Sequence, residues 1–214
     1  MTSQRRVLFV STPLRGVPDI FPPYAVLSLM SALRKSGFQD QSFYNIDFER
    51  PTVEEAVSYV LKKRPQILAV SAVVSTAYAY VKTLTLAVKQ ADPRITIIVG
   101  GPLCASAEIL LRKTGTDFVC ISEGEFVMTA FVKRYSMSME KTVMADVPGL
   151  IFLDNGELVS TEYADPIDKH LLYDVDYSDL DEAQIAHYMP VVEPNDDVFY
   201  SDGRLFEESR RGLA

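Results

Sequence analysis

"TIIVGGPLCASAEILLRK", residues 96–113, passes from an apolar, β-branched run through two glycines and a proline straight into a helical pattern. A continuous apolar run, rather than an alternating one, marks a strand covered on both faces, as in a parallel sheet. Glycine at the end of such a strand marks a place where something comes too close for a side chain.

The same pattern recurs on either side. Strand-like runs occupy 6–11 (RVLFVS), 42–48 (SFYNIDF), 67–73 (ILAVSAV), 96–101 (TIIVGG) and 118–124 (FVCISEG). Helical patterns at 22–38, 52–64, 76–92, 104–115 and 125–136 alternate with them, the second opening on the Thr52-x-x-Glu55 capping signature. Alternation of this kind predicts an α/β fold: a doubly wound, flavodoxin-like, five-stranded parallel sheet in the order 2-1-3-4-5, with helices on both faces. That domain is expected to span 1–137. An extension, 138–163, contains a β-hairpin turning at Asp154-Asn155-Gly156, since Asn-Gly favours the tight turns of hairpins. Residues 164–214 are rich in acids, tyrosine and proline, with little periodicity, and read as an acidic linker.

A net charge of −8 and a pI near 4.8 set a repulsive field against a phosphate backbone, so no nucleic-acid partner is expected. No apolar stretch approaches the ~18 residues of a membrane span, so no membrane partner is expected either. The apolar run after Arg5-Arg6 is too short for a signal peptide. With only Cys104, Cys120, His170 and His187, no metal site is expected from this chain, and the cysteine usage fits a reducing, cytoplasmic setting. Cys104 and Cys120 read as small packing residues, and the two histidines as solvated linker groups. Tyr78 and Tyr80, two apart on one helix, are not expected to face the core together.

In an open parallel sheet, ligands bind beyond the carboxyl ends of the strands. The candidate binding residues are therefore Ser11, Thr12, Pro13 and Leu14, then Ser71, Ala72 and Val73, then Gly100, Gly101 and Pro102, and lastly Glu123, Gly124 and Glu125; no catalytic residue stands among them. After the first strand, "STPLRGVPD" lacks the GxGxxG that a dinucleotide needs, and no GxxxxGK[ST] occurs anywhere. The hydroxyls Ser11, Thr12 and Ser71 stand where a phosphorylated receiver domain carries its acidic magnesium ligands. What remains is a rim of hydroxyls, amides and glycines, suited to a large, mostly neutral ligand.

These residues resemble the N-terminal cobalamin (B12)-binding domain of the cobalamin-dependent radical SAM enzymes. Ser71-Ala72-Val73 is similar to the Ser-x-Leu of B12 folds and is followed, after residues 74–99, by Gly100-Gly101, as in the family pattern. "PPYAVLSLMSALRKSGF" (22–38), "VGGP" (99–102), "SEGE" (122–125) and the hairpin "VPGLIFLDNGELV" (147–159) resemble successive signatures of the radical SAM branch. The resemblance implies a cobalamin whose nucleotide tail inserts between the ends of the third and fourth strands, held by Ser71 with room made by the glycines. It also implies a radical SAM domain, in cis or in trans, that carries a 4Fe-4S cluster and S-adenosylmethionine and performs methyltransferase-type chemistry. Two departures are visible. Phe21 stands two places after Asp19, where the methionine-synthase type carries its cobalt-ligating histidine, so the strand 1 loop gives no lower histidine ligand. No CxxxCxxC is present; "SRRGLA" (209–214) resembles the context that leads into that motif, so the cluster domain is expected to be missing from this chain. The expected function is a cobalamin-binding module without catalysis of its own. The alternative is a B12-fold interaction or scaffold domain that has no cofactor, and the oligomeric state stays open.

Overall fold

In the computed structural model, the structure describes residues 6–73, 76–135, 141–164 and 175–189. The "SRRGLA" terminus, His170 and most of the predicted linker lie outside the described residues. The chain divides into two compact units, one of 1–19 and 23–179, the other of 20–22 and 180–214.

The larger unit is built on one mixed sheet of seven strands in the order β2-β1-β3-β4-β5-β6-β7. β1 (Val7–Ser11), β2 (Gln41–Asn45), β3 (Ile67–Ser71), β4 (Thr96–Gly100) and β5 (Phe118–Cys120) run parallel. β6 (Leu150–Asp154) and β7 (Glu157–Ser160) are antiparallel. The sheet is thus larger than the expected five strands, because the hairpin is no separate appendage. β6 pairs with β5, Val119 opposite Ile151, and so covers an edge that would otherwise be open. Its turn uses Asn155 and Gly156, both at positive φ, the conformation that a two-residue hairpin turn demands.

Strand continuity follows from apolar content. All five residues of β1 and the first four of β3 are buried, because helices cover both faces. One face carries α1 (Tyr24–Lys35) and α6 (Gly124–Tyr135), packed with Phe9, Ile98 and Phe118. The other carries α3 (Val53–Lys63), α4 (Ala77–Ala91) and α5 (Ala107–Lys113), packed with Leu8, Leu68 and Val99. The Thr52 capping box is formed: the Glu55 amide donates to the Thr52 hydroxyl, and the Thr52 amide donates to the Glu55 carboxylate. Tyr78 and Tyr80 both pack against the α3–α5 core, contrary to the expectation from their spacing.

The second strand ends earlier than its composition suggests. Asn45 accepts a hydrogen bond from the Phe48 amide and starts a one-turn helix, α2 (Ile46–Glu49), where sequence predicts strand to 48. After the hairpin, residues 175–179 return to α1. The Asp176 amide donates to the Ser31 hydroxyl at 3.2 Å, and the Arg34 guanidinium pairs with Asp176 and Asp179. In the smaller unit, α7 (Glu182–Tyr188) is capped by Asp181, which accepts from the Gln184 amide at 2.8 Å. Its seven residues are too few to register as periodicity in the sequence.

Candidate functional site

Ser71 and Gly100 are register partners at the carboxyl ends of β3 and β4, and Ser11 is the partner of Ser71 on the other side. Two places earlier stand Phe9, Ala69 and Ile98, which face α1 and α6. Strand alternation therefore aims Ser71 and Gly100 at the same face.

There the helices stand off the sheet and leave a cavity of about 220 Å³. Its mouth is formed by Ser71, Gly101 and the turn Ser122–Glu125; its depth is lined by buried apolar side chains, among them Phe9, Val26, Ile98 and Met128. An open groove of about 710 Å³ lies beside it, shares Gly101, Cys120, Ser122 and Glu123, and extends over Pro102, Glu108 and Ile151.

The two glycines serve different ends. Gly101 has φ +94°, and a Cβ there would lie 2.7 Å from the Ala72 carbonyl oxygen, so the chain geometry itself excludes a side chain. That close approach lets the Leu103 amide donate to the Ala72 carbonyl at 3.2 Å and opens a 3-10 turn over Pro102–Ser106. Gly100 needs no such protection: the nearest atom to a Cβ there is the Cys120 Cβ at 3.9 Å. A larger side chain at Gly100 would enter the cavity.

Ser71, Gly100, Gly101, Glu123, Gly124 and Glu125 are therefore brought together around one cavity. Glu125 accepts a hydrogen bond from the Ser28 hydroxyl at 2.7 Å, which ties the mouth of the cavity to α1. The other candidates stand apart from it. Ser11 donates its hydroxyl to Asn45 Oδ1 at 2.7 Å, and Thr12 donates both its amide and its hydroxyl to the Ser71 carbonyl, so these hydroxyls brace strand ends. Pro13 and Leu14 lead into the loop after β1, Ala72 is buried, Val73 is exposed, and Pro102 lines the larger groove.

What sequence reasoning missed is the support of that loop. Asp47, 5% exposed, accepts from the Leu14 amide at 3.0 Å with Oδ1 and from the Asp19 amide at 2.8 Å with Oδ2. Arg50 pairs with Asp47 at 2.8 Å and donates to the carbonyl oxygens of Arg15 and Val17. One carboxylate and one guanidinium thus fold the loop back on α2. The apolar depth was missed too, although its strand residues Ala69 and Ile98 sit at i−2 from Ser71 and Gly100 and could have been reached by alternation. Cys120 lines both cavities; burial raises its thiol pKa to about 11 and that of Cys104 to about 12, so both stay protonated at neutral pH.

Among the described residues no group of three or more His, Cys, Asp or Glu side chains is placed to hold a metal ion, and no helix is long and apolar enough to cross a membrane.

Residues 12–132 match the family model of the B12 binding domain. Two curated relatives are anaerobic magnesium-protoporphyrin IX monomethyl ester cyclases. That of Cereibacter sphaeroides is 29% identical over 149 residues, covering 69% of this chain and 24% of the relative. That of Synechocystis sp. is 26% identical over 191 residues, covering 86% and 38%. The chain thus spans about a quarter of the length of the first relative and under two fifths of the second. Among solved structures, the cobalamin-dependent S-adenosylmethionine radical enzyme OxsB with aqua-cobalamin bound superposes with a TM-score of 0.65 at 17% identity, covering 77% of this chain and 23% of that one. The radical S-adenosylmethionine methyltransferase TsrM from Kitasatospora setae, with cobalamin and a [4Fe-4S] cluster bound, gives 0.62 at 21% identity, covering 78% and 30%. At these identities the structural likeness speaks for the fold. With a family match across more than half its length, the chain belongs to the B12-binding domain family.

Proposed function

We propose that this chain is the cobalamin-binding module of a B12-dependent radical SAM enzyme of methyltransferase type, and that it performs no catalysis alone. The observation that carries the reading is Gly100. Its backbone does not require glycine, yet a side chain there would fill a cavity that opens on the ligand edge of the sheet.

The residues present fit the group. Ser71, Gly100, Gly101, Glu123, Gly124 and Glu125 would hold it at the cavity, while Ser11, Thr12, Pro13, Leu14, Ala72, Val73 and Pro102 form the frame of strand ends around them. When bound, cobalamin supplies a methyl group carried on cobalt. This chain's own part is to grip the nucleotide tail, to present the Ser71 hydroxyl at the mouth, and to exclude water with the apolar depth. The strand 1 loop, held by Asp47 and Arg50, offers no imidazole between 13 and 19. The radical SAM domain, with its 4Fe-4S cluster and S-adenosylmethionine, would be supplied in cis or in trans; the names of OxsB, TsrM and their bound groups support that part.

The test is a titration of the purified chain with hydroxocobalamin and methylcobalamin, followed by visible absorbance. Saturable binding is expected, lost in Ser71→Tyr and Gly100→Val proteins that keep the native circular dichroism spectrum. A folded wild-type chain that binds neither corrinoid at high micromolar concentration would leave the scaffold reading in its place.

A further inference from the structure

The cavity between the sheet and the α1/α6 pair has a polar mouth and an apolar interior, and this division restricts what can enter it. Phe9, Val26, Ala69, Ile98, Cys120 and Met128 line it and are each less than a tenth exposed. None offers a strong hydrogen-bond group from its side chain. The Cys120 thiol, the one weak donor, is directed to the Ser122 carbonyl at 3.5 Å. The hydroxyls and carboxylates that line the cavity, those of Ser71, Ser122, Glu123 and Glu125, belong to residues exposed to solvent in part or in full. Two of these are already engaged: Ser122 accepts from the Ala164 amide at 3.0 Å, and Glu125 accepts from Ser28.

The volume, about 220 Å³, is below the ~300 Å³ at which pockets for whole drug-sized ligands begin. It suits one flat ring system, not a complete corrinoid. A buried ring bearing several acceptors and an amine would leave them unpaired against this wall, whereas a methylated, weakly polar ring would not.

We infer that this cavity selects the lower base of its corrinoid, taking the apolar dimethylbenzimidazole and discriminating against adenine and other purines. The inference rests on the proposed cobalamin reading and adds to it the class of corrinoid that the site accepts. Dimethylbenzimidazole exposes one ring nitrogen, which the mouth can satisfy, and two methyl groups, which the interior can bury. Adenine carries polar atoms around its whole perimeter, so every orientation buries some of them. A single unpaired polar group in such a site lowers affinity about 5- to 150-fold, and adenine buries more than one.

The experiment is a set of equilibrium titrations of the full chain with three corrinoids in the same cobalt state: cobalamin, its analogue with an adenine lower base, and cobinamide, which lacks the nucleotide tail. Cobalamin is expected to bind at least about tenfold tighter than the adenine corrinoid, and cobinamide is expected to bind weakest. A Cys120→Ser protein, with a hydroxyl in the cavity wall, is expected to narrow the gap between the two bases. Equal affinity for cobalamin and the adenine corrinoid, both well above cobinamide, overturns the selectivity and leaves the cobalamin reading standing. Cobinamide binding as tightly as cobalamin overturns the placement of the base in this cavity. Failure of all three to bind overturns the cobalamin reading itself, and this inference with it.

Discussion

Gly101 approaches Ala72 so closely that a Cβ on the glycine would stand 2.7 Å from the alanine's carbonyl oxygen, while its neighbour Gly100 has no atom nearer than 3.9 Å to the same probe. Two adjacent glycines therefore predict two different phenotypes. Gly101→Ala places a side chain at φ +94° and against backbone that cannot move aside. The expected cost is about 3 kcal/mol, a fall in Tm of about 6–12 °C by thermal unfolding. Gly100→Ala is expected to stay within about 1 kcal/mol of the parent. Larger residues at Gly100 should spare stability and abolish corrinoid binding. If both substitutions destabilise equally, the division between a structural and a ligand-clearing glycine is wrong.

Features set by a few consecutive residues were legible in the sequence. The Thr52–Glu55 capping box and the Asn155-Gly156 turn each depend on side chains within three positions, and both are present. The strand ends that bear Ser71 and Gly100 were legible because apolar runs stop there abruptly. Features set by distant residues were not. Nothing near Val119 says that Ile151 will lie against it and make the hairpin part of the sheet. Nothing near Leu14 says that its amide will be taken by Asp47, 33 residues later. The run Ser42–Phe48 reads as strand from its Phe, Tyr and Ile, and the Asn45 cap, which competes locally with the strand, ends it. Arg34 likewise reads as an ordinary basic residue at a helix end until Asp176 and Asp179 meet it.

Asp47→Ala is expected to release the loop after β1. The substitution removes the acceptor of the Leu14 and Asp19 amides and leaves Arg50, whose side chain is only a quarter exposed, without its anion. Breaking a pair this enclosed costs about 3–5 kcal/mol. Amide exchange at Leu14 and Asp19 should accelerate, while exchange in β3 and β4 changes only with global stability. Unchanged exchange at these two amides would show that the loop holds its shape without Asp47.

Both thiols are expected to resist modification in the native protein. Their pKa values are raised to about 12 at Cys104 and about 11 at Cys120, chiefly by burial, so the reactive thiolate is scarce at neutral pH. Reaction with a disulfide reagent at pH 7.5 should be at least about 100-fold slower in the native chain than in guanidinium, where both thiols return to the ordinary range. The stability sign follows from the same shift. The folded state keeps these protons where the unfolded chain releases them, so their contribution is fully present below the unfolded thiol pKa and is lost as pH rises toward 11. Unfolding midpoints measured from pH 8 to 10.5 should therefore fall, and fall less steeply in Cys120→Ala. Prompt stoichiometric labelling of either thiol at pH 7.5 would contradict the burial.

Asp92 closes α4 and leads into β4, the strand that ends at Gly100. Its carboxylate accepts from the Arg94 amide at 3.0 Å and from the Arg94 guanidinium at 2.9 Å, and these bonds to the charged form hold its pKa down at about 2. A carboxylate depressed on folding stabilises the native state above its unfolded value of 3.8 and loses that contribution as pH falls through about 2. The expected result is a carboxyl carbon titration by NMR with a midpoint near 2 in the parent and shifted up toward 3.8, without reaching it, in Arg94→Ala, whose backbone amide still donates to Asp92. Stability should decline from pH 4 to 2, and Asp92→Asn should flatten that decline without altering corrinoid binding at neutral pH, because the turn lies at the amino end of β4 and the cavity at its carboxyl end. A parent midpoint at 3.8 would mean that the Asp92–Arg94 fork does not persist in solution and that the acid sensitivity of this edge arises elsewhere.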